Sequence, residues 1–254
     1  MARRFGWKPD VPDIRDRYML QPPMTGRLPT AIDLSGACPP VMHQGEIGSC
    51  TAHAIAAAHL YDQMRQGAVD PFLPSRLFVY YAERDMEGTT KEDCGAMIRT
   101  GFKVLVKLGA PREELWPYDQ AKFAKRPPVR AYRNALSNQA LVYARVPQTL
   151  RAIKTCLART TPVVFGFAVY ESFESDVVAR SGDAPMPEPG ESSLGGHAVL
   201  AVGYDDATER VLCMNSWGTD WGRAGFFTLP YAYVADRNLA DDFWALSTVE
   251  VNNQ

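Results

Sequence analysis

Residues 43–54 read HQGEIGSCTAHA, and the chain changes character within them. From Ser49 onward, Ala54, Ile55, Ala57, Ala58 and Tyr61 keep a helical pattern, with no proline before Pro71 and Gly67 to close the run. Cys50 therefore falls near the N-terminus of a helix. The unpaired N–H groups and positive dipole end found there lower a thiol pKa. Gly48 and Ser49 allow a tight approach to the helix start, and Gln44 is placed to bring a side-chain N–H toward the sulfur. On these residues alone Cys50 reads as a nucleophile, a metal ligand or a small buried residue.

A nucleophilic thiol needs a base, and the chain has four histidines. His43 adjoins Gln44, and both side chains do not fit easily into one site. His53 stands one helical turn from Cys50, which makes a poor in-line base. No second close Cys/His pair completes a zinc shell, so no metal and no cofactor is expected. His59, further along the helix, reads as structural. His197 opens the apolar run GGHAVLAVGY (195–204), where two glycines permit close backbone approach. A distant histidine brought in by the fold is what a thiol nucleophile requires. MNSWGTDWG (214–222) follows. A strand–turn–strand there returns Asn215 to His197, so that the amide oxygen accepts the imidazole N–H under the cover of Trp217. Taken alone, NSWG suits a core strand ending in a turn equally well.

The rest of the chain sets the frame. Its 254 residues allow one large domain or two lobes sharing a cleft, and 46% hydrophobic with 22% charged residues is ordinary for a globular protein. A net charge of −2 gives no reason to expect nucleic acid or an anionic membrane as partner. No apolar run approaches the roughly 20 residues that span a bilayer. MARRFGWKPDVPDIRDRY (1–18) starts basic but has no apolar stretch behind it. With no export signal visible, the expectation is a cytoplasmic protein or one exported by a non-classical route. Five cysteines (Cys38, Cys50, Cys94, Cys156, Cys213) are too few and too widely spaced for a disulfide scaffold.

Residues 1–30 hold five prolines, Pro9, Pro12, Pro22, Pro23 and Pro29, and should be extended. Their aromatics Phe5, Trp7 and Tyr18 suggest packing onto the body. Further helices are expected over SRLFVYYAERDM (75–86), with Ser75 as N-cap, and over AMIRTGFKVLVKLG (96–109). AKFAKRPPVRAYR (121–133) reads as a solvated linker between lobes. The second half turns to short strands, PVVFGFAVY, HAVLAVGYDD, VLCMNSWG, GFFTLP and WALSTVEV, after one short helix near LRAIKTCLA. Residues 180–196 read as a long loop.

QGEIGSC, GGHAVLAVGY and NSWGTDWG, in that order, resemble the papain family of cysteine peptidases. QGEIGSCTA together with GFAVYESF is most similar to its bacterial, xylellain-like branch. The resemblance covers about residues 31–247. It implies an α+β, two-lobe fold: a helical left lobe (about 31–135), an antiparallel β-barrel-like right lobe (about 136–254) and the active-site cleft between them. It further implies a polypeptide substrate, with Cys50 as nucleophile, His197 as general base and acid, Asn215 as its orienter and Gln44 in the oxyanion hole. Trp217 matches a shielding indole, Trp221 the tryptophan bordering the leaving-group side, and Gly48, Ser49, Gly95 and Gly196 fall along the expected substrate cleft. The chain also departs from the family. Ile47 stands where many members have a second, disulfide-bonded cysteine, Thr51 replaces the usual aromatic after the nucleophile, and EDCGAMIR (92–99) offers only Gly95 where a glycine pair is common. Residues 1–30 are far shorter than the family's inhibitory pro-region, and they read as a short pro-segment or a structural strap. An acyltransferase, a deamidase or a non-catalytic binding homologue would use the same residues, and oligomeric state is not legible.

Overall fold

The structure, a computed structural model, describes residues 4–19 and 26–249. Pro22 and Pro23 lie outside them. Helix α1, Cys50–Arg65, is buried almost all round. Its alanine-rich surface lets neighbours approach closely, as a central helix requires. Helix α2, Arg76–Glu87, starts at Ser75, whose hydroxyl accepts from the Phe78 N–H, and ends at Gly88 in the left-handed region. Helix α3 runs Ile98–Lys107. It begins later than expected because Ala96–Met97 is a strand, paired in parallel with Trp7–Lys8 near the N-terminus. No periodicity marks a two-residue strand.

The expected linker at 121–133 is partly structured. Pro128 leads into a short helix, Val129–Ala135, that buries Ala131 and Ala135 against Phe78 and Val104. Arg130 and Arg133 therefore sit on a packed helix rather than on a free crossing.

The second half forms an open antiparallel sheet. Strands Ala140–Arg145, Ala240–Val249, Val163–Tyr170, Ser193–Asp205, Arg210–Met214 and Phe226–Pro230 lie side by side in that order, and Ala31–Asp33 pairs with Ser193–Asp205 off the main path. The expected barrel-like lobe is thus a sheet that does not close among the described residues, and it recruits a strand from the chain's first half. Helix Leu150–Ala158 packs where expected, while helices Asp176–Ser181 and Tyr231–Ala235 and strand Ala140–Arg145 were not legible. The loop expected at 180–196 is shortened at both ends. Ser175 caps the helix that runs to Ser181, and the strand carrying His197 already begins at Ser193, pairing Gly195 with Val169 and Gly196 with Ala168.

Two apolar clusters result. One wraps α1 between the other helices and one face of the sheet, and the second fills the opposite face around Phe167, Phe173 and Phe227. The N-terminus of α1 meets the His197 strand between them. No described helix is long and apolar enough to cross a membrane.

Candidate active site

Cys50 is the first residue of α1 and has no exposed surface. The backbone N–H groups of Ala198, Gly6 and Thr51 lie near enough to favour its thiolate. Ala198 follows His197, so the thiol lies against the strand that carries the histidine. Ser49 does not cap α1 with its side chain, which leaves the helix start open toward the thiol. Burial nevertheless pushes the thiol up to about 11, against the pull of those three N–H groups.

His197 is fully buried, and its Nε2 lies 2.8 Å from Asn215 Oδ1. The Ser216 N–H donates to that same Oδ1 at 2.8 Å. An atom that accepts from a backbone N–H is the amide oxygen, so Nε2 is the donor and the tautomer is fixed. Trp217 stacks on the imidazole with ring centres 4.8 Å apart and is itself buried.

Gln44 is held from three directions. Its backbone N–H donates to Ser216 O at 2.8 Å, its carbonyl accepts from Tyr118 OH at 2.6 Å, and its Oε1 accepts from Ser216 Oγ at 2.6 Å. The amide is thereby turned so that Nε2 faces Ile47 O at 3.0 Å and Arg4 O at 3.5 Å. Tyr118 OH also meets Ser49 Oγ at 2.6 Å, tying the Gln44 loop to the start of α1.

Residues 4–10 lie across this site. A Cβ on Gly6 would stand 1.8 Å from Gly48 O, so only glycine fits there. Phe5 sits edge-on to His197 with ring centres 6.3 Å apart. Trp7 lies on Gly166 and Gly196, and its indole N–H donates to Asp242 Oδ2 at 3.1 Å. Phe5 and Trp7 thus pack onto the body as expected, whereas Tyr18 is 57% exposed and pairs with Arg145 only through its backbone.

Among the residues expected to line the cleft, Gly48, Gly95 and Gly196 lie close enough to the N-terminal segment that an added Cβ would meet Gly6 or Trp7. Ser49 and Trp221 make their contacts elsewhere. Ser49 is fully buried behind the helix start, bonded to Tyr118, and Trp221 packs into the Phe173–Phe227 cluster against Trp217. The other histidines stand apart. His43 Nδ1 accepts from the Gly45 N–H, His59 is held by Gln63, and His53 contacts Ser49 O and Arg76. Burial, reinforced by Arg76, lowers His53 to about 3, and burial lowers His59 to about 4. Neither histidine carries charge at neutral pH. Among the described residues no group of three or more His, Cys, Asp or Glu is placed to hold a metal ion.

Cys38, Cys50, Cys94 and Cys213 are free thiols. Ile47 fills apolar core, and Thr51 Oγ1 donates to the buried Glu83 Oε2 at 2.9 Å. Burial holds Glu83 well above the usual carboxylate range. Cys94 accepts from Lys8 Nζ at 3.0 Å. Sequence reasoning missed Tyr118, Ser216 and Asp242. Ser216 lay inside the NSWG motif, while nothing local marked Tyr118 or Asp242.

The family model for papain family cysteine protease matches residues 28–241. An uncharacterized peptidase C1-like protein of Acanthamoeba polyphaga mimivirus is 45% identical over 81% of this chain and 69% of its own length. Cathepsin K of Gallus gallus is 29% identical over 82% of this chain, which spans only 60% of that protein. The crystal structure of xylellain, a cysteine protease from Xylella fastidiosa, superposes with a TM-score of 0.91 at 40% identity, covering 98% of this chain and 99% of that one. A digestive procathepsin L 3 of Tenebrio molitor shares the fold, with a TM-score of 0.71 at 16% identity over 92% of this chain and 75% of that one.

Proposed function

Because the chain belongs to the papain family of cysteine proteases and is a cysteine-type peptidase, we propose that Cys50 is its nucleophile, acting on polypeptides through a thioester acyl-enzyme. The observation that carries this reading is the His197 Nε2–Asn215 Oδ1 bond of 2.8 Å, buried beside Cys50 under Trp217. That bond commits Nε2–H to Asn215 and leaves Nδ1 to take the thiol proton. The resulting thiolate attacks the peptide carbonyl carbon. The Gln44 Nε2–H and the Cys50 backbone N–H then receive the oxyanion, each donor contributing on the order of 3 kcal/mol. As the C–N bond breaks, the imidazolium returns its proton to the leaving amine. Water, deprotonated by the neutral imidazole, hydrolyses the thioester.

Residues 1–30 act in this reading as a strap that holds the peptidase closed. Arg4 O lies toward Gln44 Nε2, where a substrate carbonyl belongs, and a donor, the Gly6 N–H, faces the sulfur. A strap seated in this way covers the thiol. Lifting it returns water to Cys50 and removes part of the burial that raises the thiol.

Product masses separate this reading from an amide-directed acyltransferase or deamidase at the same site. Peptides incubated with the full chain carrying Trp7→Ala should give two fragments. A single product altered by conversion of a side-chain amide would point to a deamidase, and a joined product to a transferase.

A further inference from the structure

A second thiol, away from the catalytic one, stands beside a reactive partner. Cys94 is partly exposed, and its sulfur accepts from Lys8 Nζ at 3.0 Å. Cys50 and Cys213 have no exposed surface, and burial pushes the Cys38 thiol up to about 12. Cys94 thus combines access from solvent with an amine at hydrogen-bond distance.

The fold holds this pair from both sides. Lys8 belongs to the strap, in the short strand that pairs Trp7 with Ala96 and Lys8 with Met97. Cys94 stands just before that pairing on the body. Gly95 lets the two chains touch: its φ is 73°, and an added Cβ would stand 2.0 Å from Gly6 O. The Ala96 N–H donates to the same Gly6 O at 2.8 Å. Glu87, at the end of α2, joins both strands. Its Oε2 accepts from Lys8 Nζ at 3.4 Å, and its Oε1 accepts from the Met97 N–H at 2.9 Å. Nζ is therefore held between a carboxylate and a sulfur. Lys8 and Cys94 are 86 positions apart, so docking of the strap is what brings amine and thiol together.

An amine at this distance gives an oxidised sulfur a partner. A thiolate sulfur attacks one oxygen of hydrogen peroxide, the O–O bond breaks and water leaves; sulfur is oxidised by two electrons and peroxide is reduced. A sulfenic acid so formed condenses with a thiol or a nitrogen beside it. Here the Lys8 ammonium passes two protons to the sulfenate oxygen, its nitrogen forms an S–N bond, and the S–O bond breaks with loss of a second water. Thiolate, ammonium and one hydrogen peroxide give one sulfenamide and two waters, with no proton left over. A thiol reductant reverses the step. Its first molecule cleaves S–N and leaves a mixed disulfide with Cys94, and its second releases the Cys94 thiol.

We propose that Lys8 and Cys94 form a peroxide-driven S–N crosslink that ties the strap to the body and holds the peptidase closed until a thiol reductant releases it. The inference rests on the strap reading of residues 1–30, and through it on the peptidase reading. Lys8 adjoins Trp7, so a bond at Lys8 keeps Trp7 and Phe5 at high effective concentration over the site. The bond forms in the docked chain, where Cys50 is buried away from the same oxidant. Oxidation thus closes the site before peroxide reaches the catalytic thiol.

The test treats the 254-residue chain with hydrogen peroxide, removes the peroxide and follows two readouts. In Cys50→Ala, where no peptidase activity is needed, peptide mapping should show Lys8 joined to Cys94 and the chain lighter by two hydrogens. Adding Cys94→Ser or Lys8→Gln to that chain should abolish the product. In wild type, labelling of Cys50 by a thiol-directed epoxide should become at least about tenfold slower after peroxide, and dithiothreitol should restore the first rate. Lys8→Gln, compared with its own untreated chain, should not slow. Cys94 left unmodified, or carried to the sulfinic acid with Lys8 unmodified, overturns the inference, and so does a crosslink that leaves the labelling rate unchanged. A crosslink that slows labelling reversibly, in a chain that cleaves no peptide when reduced and carrying Trp7→Ala, upholds the crosslink and contradicts the peptidase reading instead.

Discussion

Trp7→Ala should open the site. The indole packs on the cluster around α1, lies over Gly166 and Gly196 and donates to Asp242. An aromatic side chain buries roughly 150–250 Å², which at about 25 cal/mol per Å² is about 4–6 kcal/mol. Trp7 is only half-buried, so about half of that is the working figure. Its N–H bond to a carboxylate contributes about 1.5 kcal/mol more, part of which Asp242 retains through the Asp10 N–H. Strap docking should weaken by about 3 kcal/mol, raising the open fraction about a hundredfold. The assay is the rate at which a thiol-directed epoxide labels Cys50, followed by intact mass at fixed pH. With labelling proportional to the open fraction, the variant should react about a hundred times faster than wild type until opening ceases to limit. A change below about threefold, with wild type already reacting rapidly, would refute the strap as the element that closes the site.

Three further outcomes follow from the same contacts. Gln44→Ala in a Trp7→Ala background should lower kcat by about a hundredfold or more with little change in KM, because the lost donor acts on the oxyanion; steady-state kinetics on a peptide amide check it. Gly166→Ala should speed labelling, since the new methyl would stand 2.0 Å from the Trp7 ring and expel it; slower labelling than wild type would contradict the packing. Asp10 makes docking pH-dependent: burial, then the nearby Asp242, raise it from 3.8 to about 7 in the docked strap. A carboxyl whose pKa rises on docking binds its proton more tightly when docked, so docking is strongest below about pH 4 and weakens as pH rises through about 7. Labelling, corrected for thiol ionisation, should therefore increase across that window in wild type and stay flat in Asp10→Asn, which keeps a neutral side chain throughout.

The residues that meet a chemical demand were legible in the sequence. Cys50 lies at a helix start set by a glycine and an alanine run. His197 and Asn215 lie on an apolar strand and the turn beyond the next, because sheet pairing must return one to the other. Elements whose existence depends on a distant partner were not legible. Trp7–Lys8 and Ala96–Met97 are strands only because each pairs with the other. Strand Ala140–Arg145 shows no marked alternation and exists through its pairing with Ala240–Val249. Val129–Ala135 is helical because Pro128 directs Ala131 and Ala135 onto α2 and α3. Asp242 carries no sequence signal at all, since its placement comes from a bulge in a strand read only as an apolar run. Tyr118 joins the Gln44 loop across a long stretch of chain, a contact that only the packed molecule sets. Ser49 and Trp221 look like cleft residues from their motifs, but their side chains turn inward, one to Tyr118 and the other to Phe173.

The central claim is the thioester on Cys50. The 254-residue chain carrying Trp7→Ala is mixed with a peptide ester, quenched in acid within the burst phase, and digested for mass spectrometry. The expected result is the acyl group of the substrate on the peptide that contains Cys50, together with two hydrolysis fragments, and neither adduct nor fragments from Trp7→Ala/Cys50→Ala. An adduct on any other residue, or fragments formed undiminished by the Cys50→Ala chain, would contradict it.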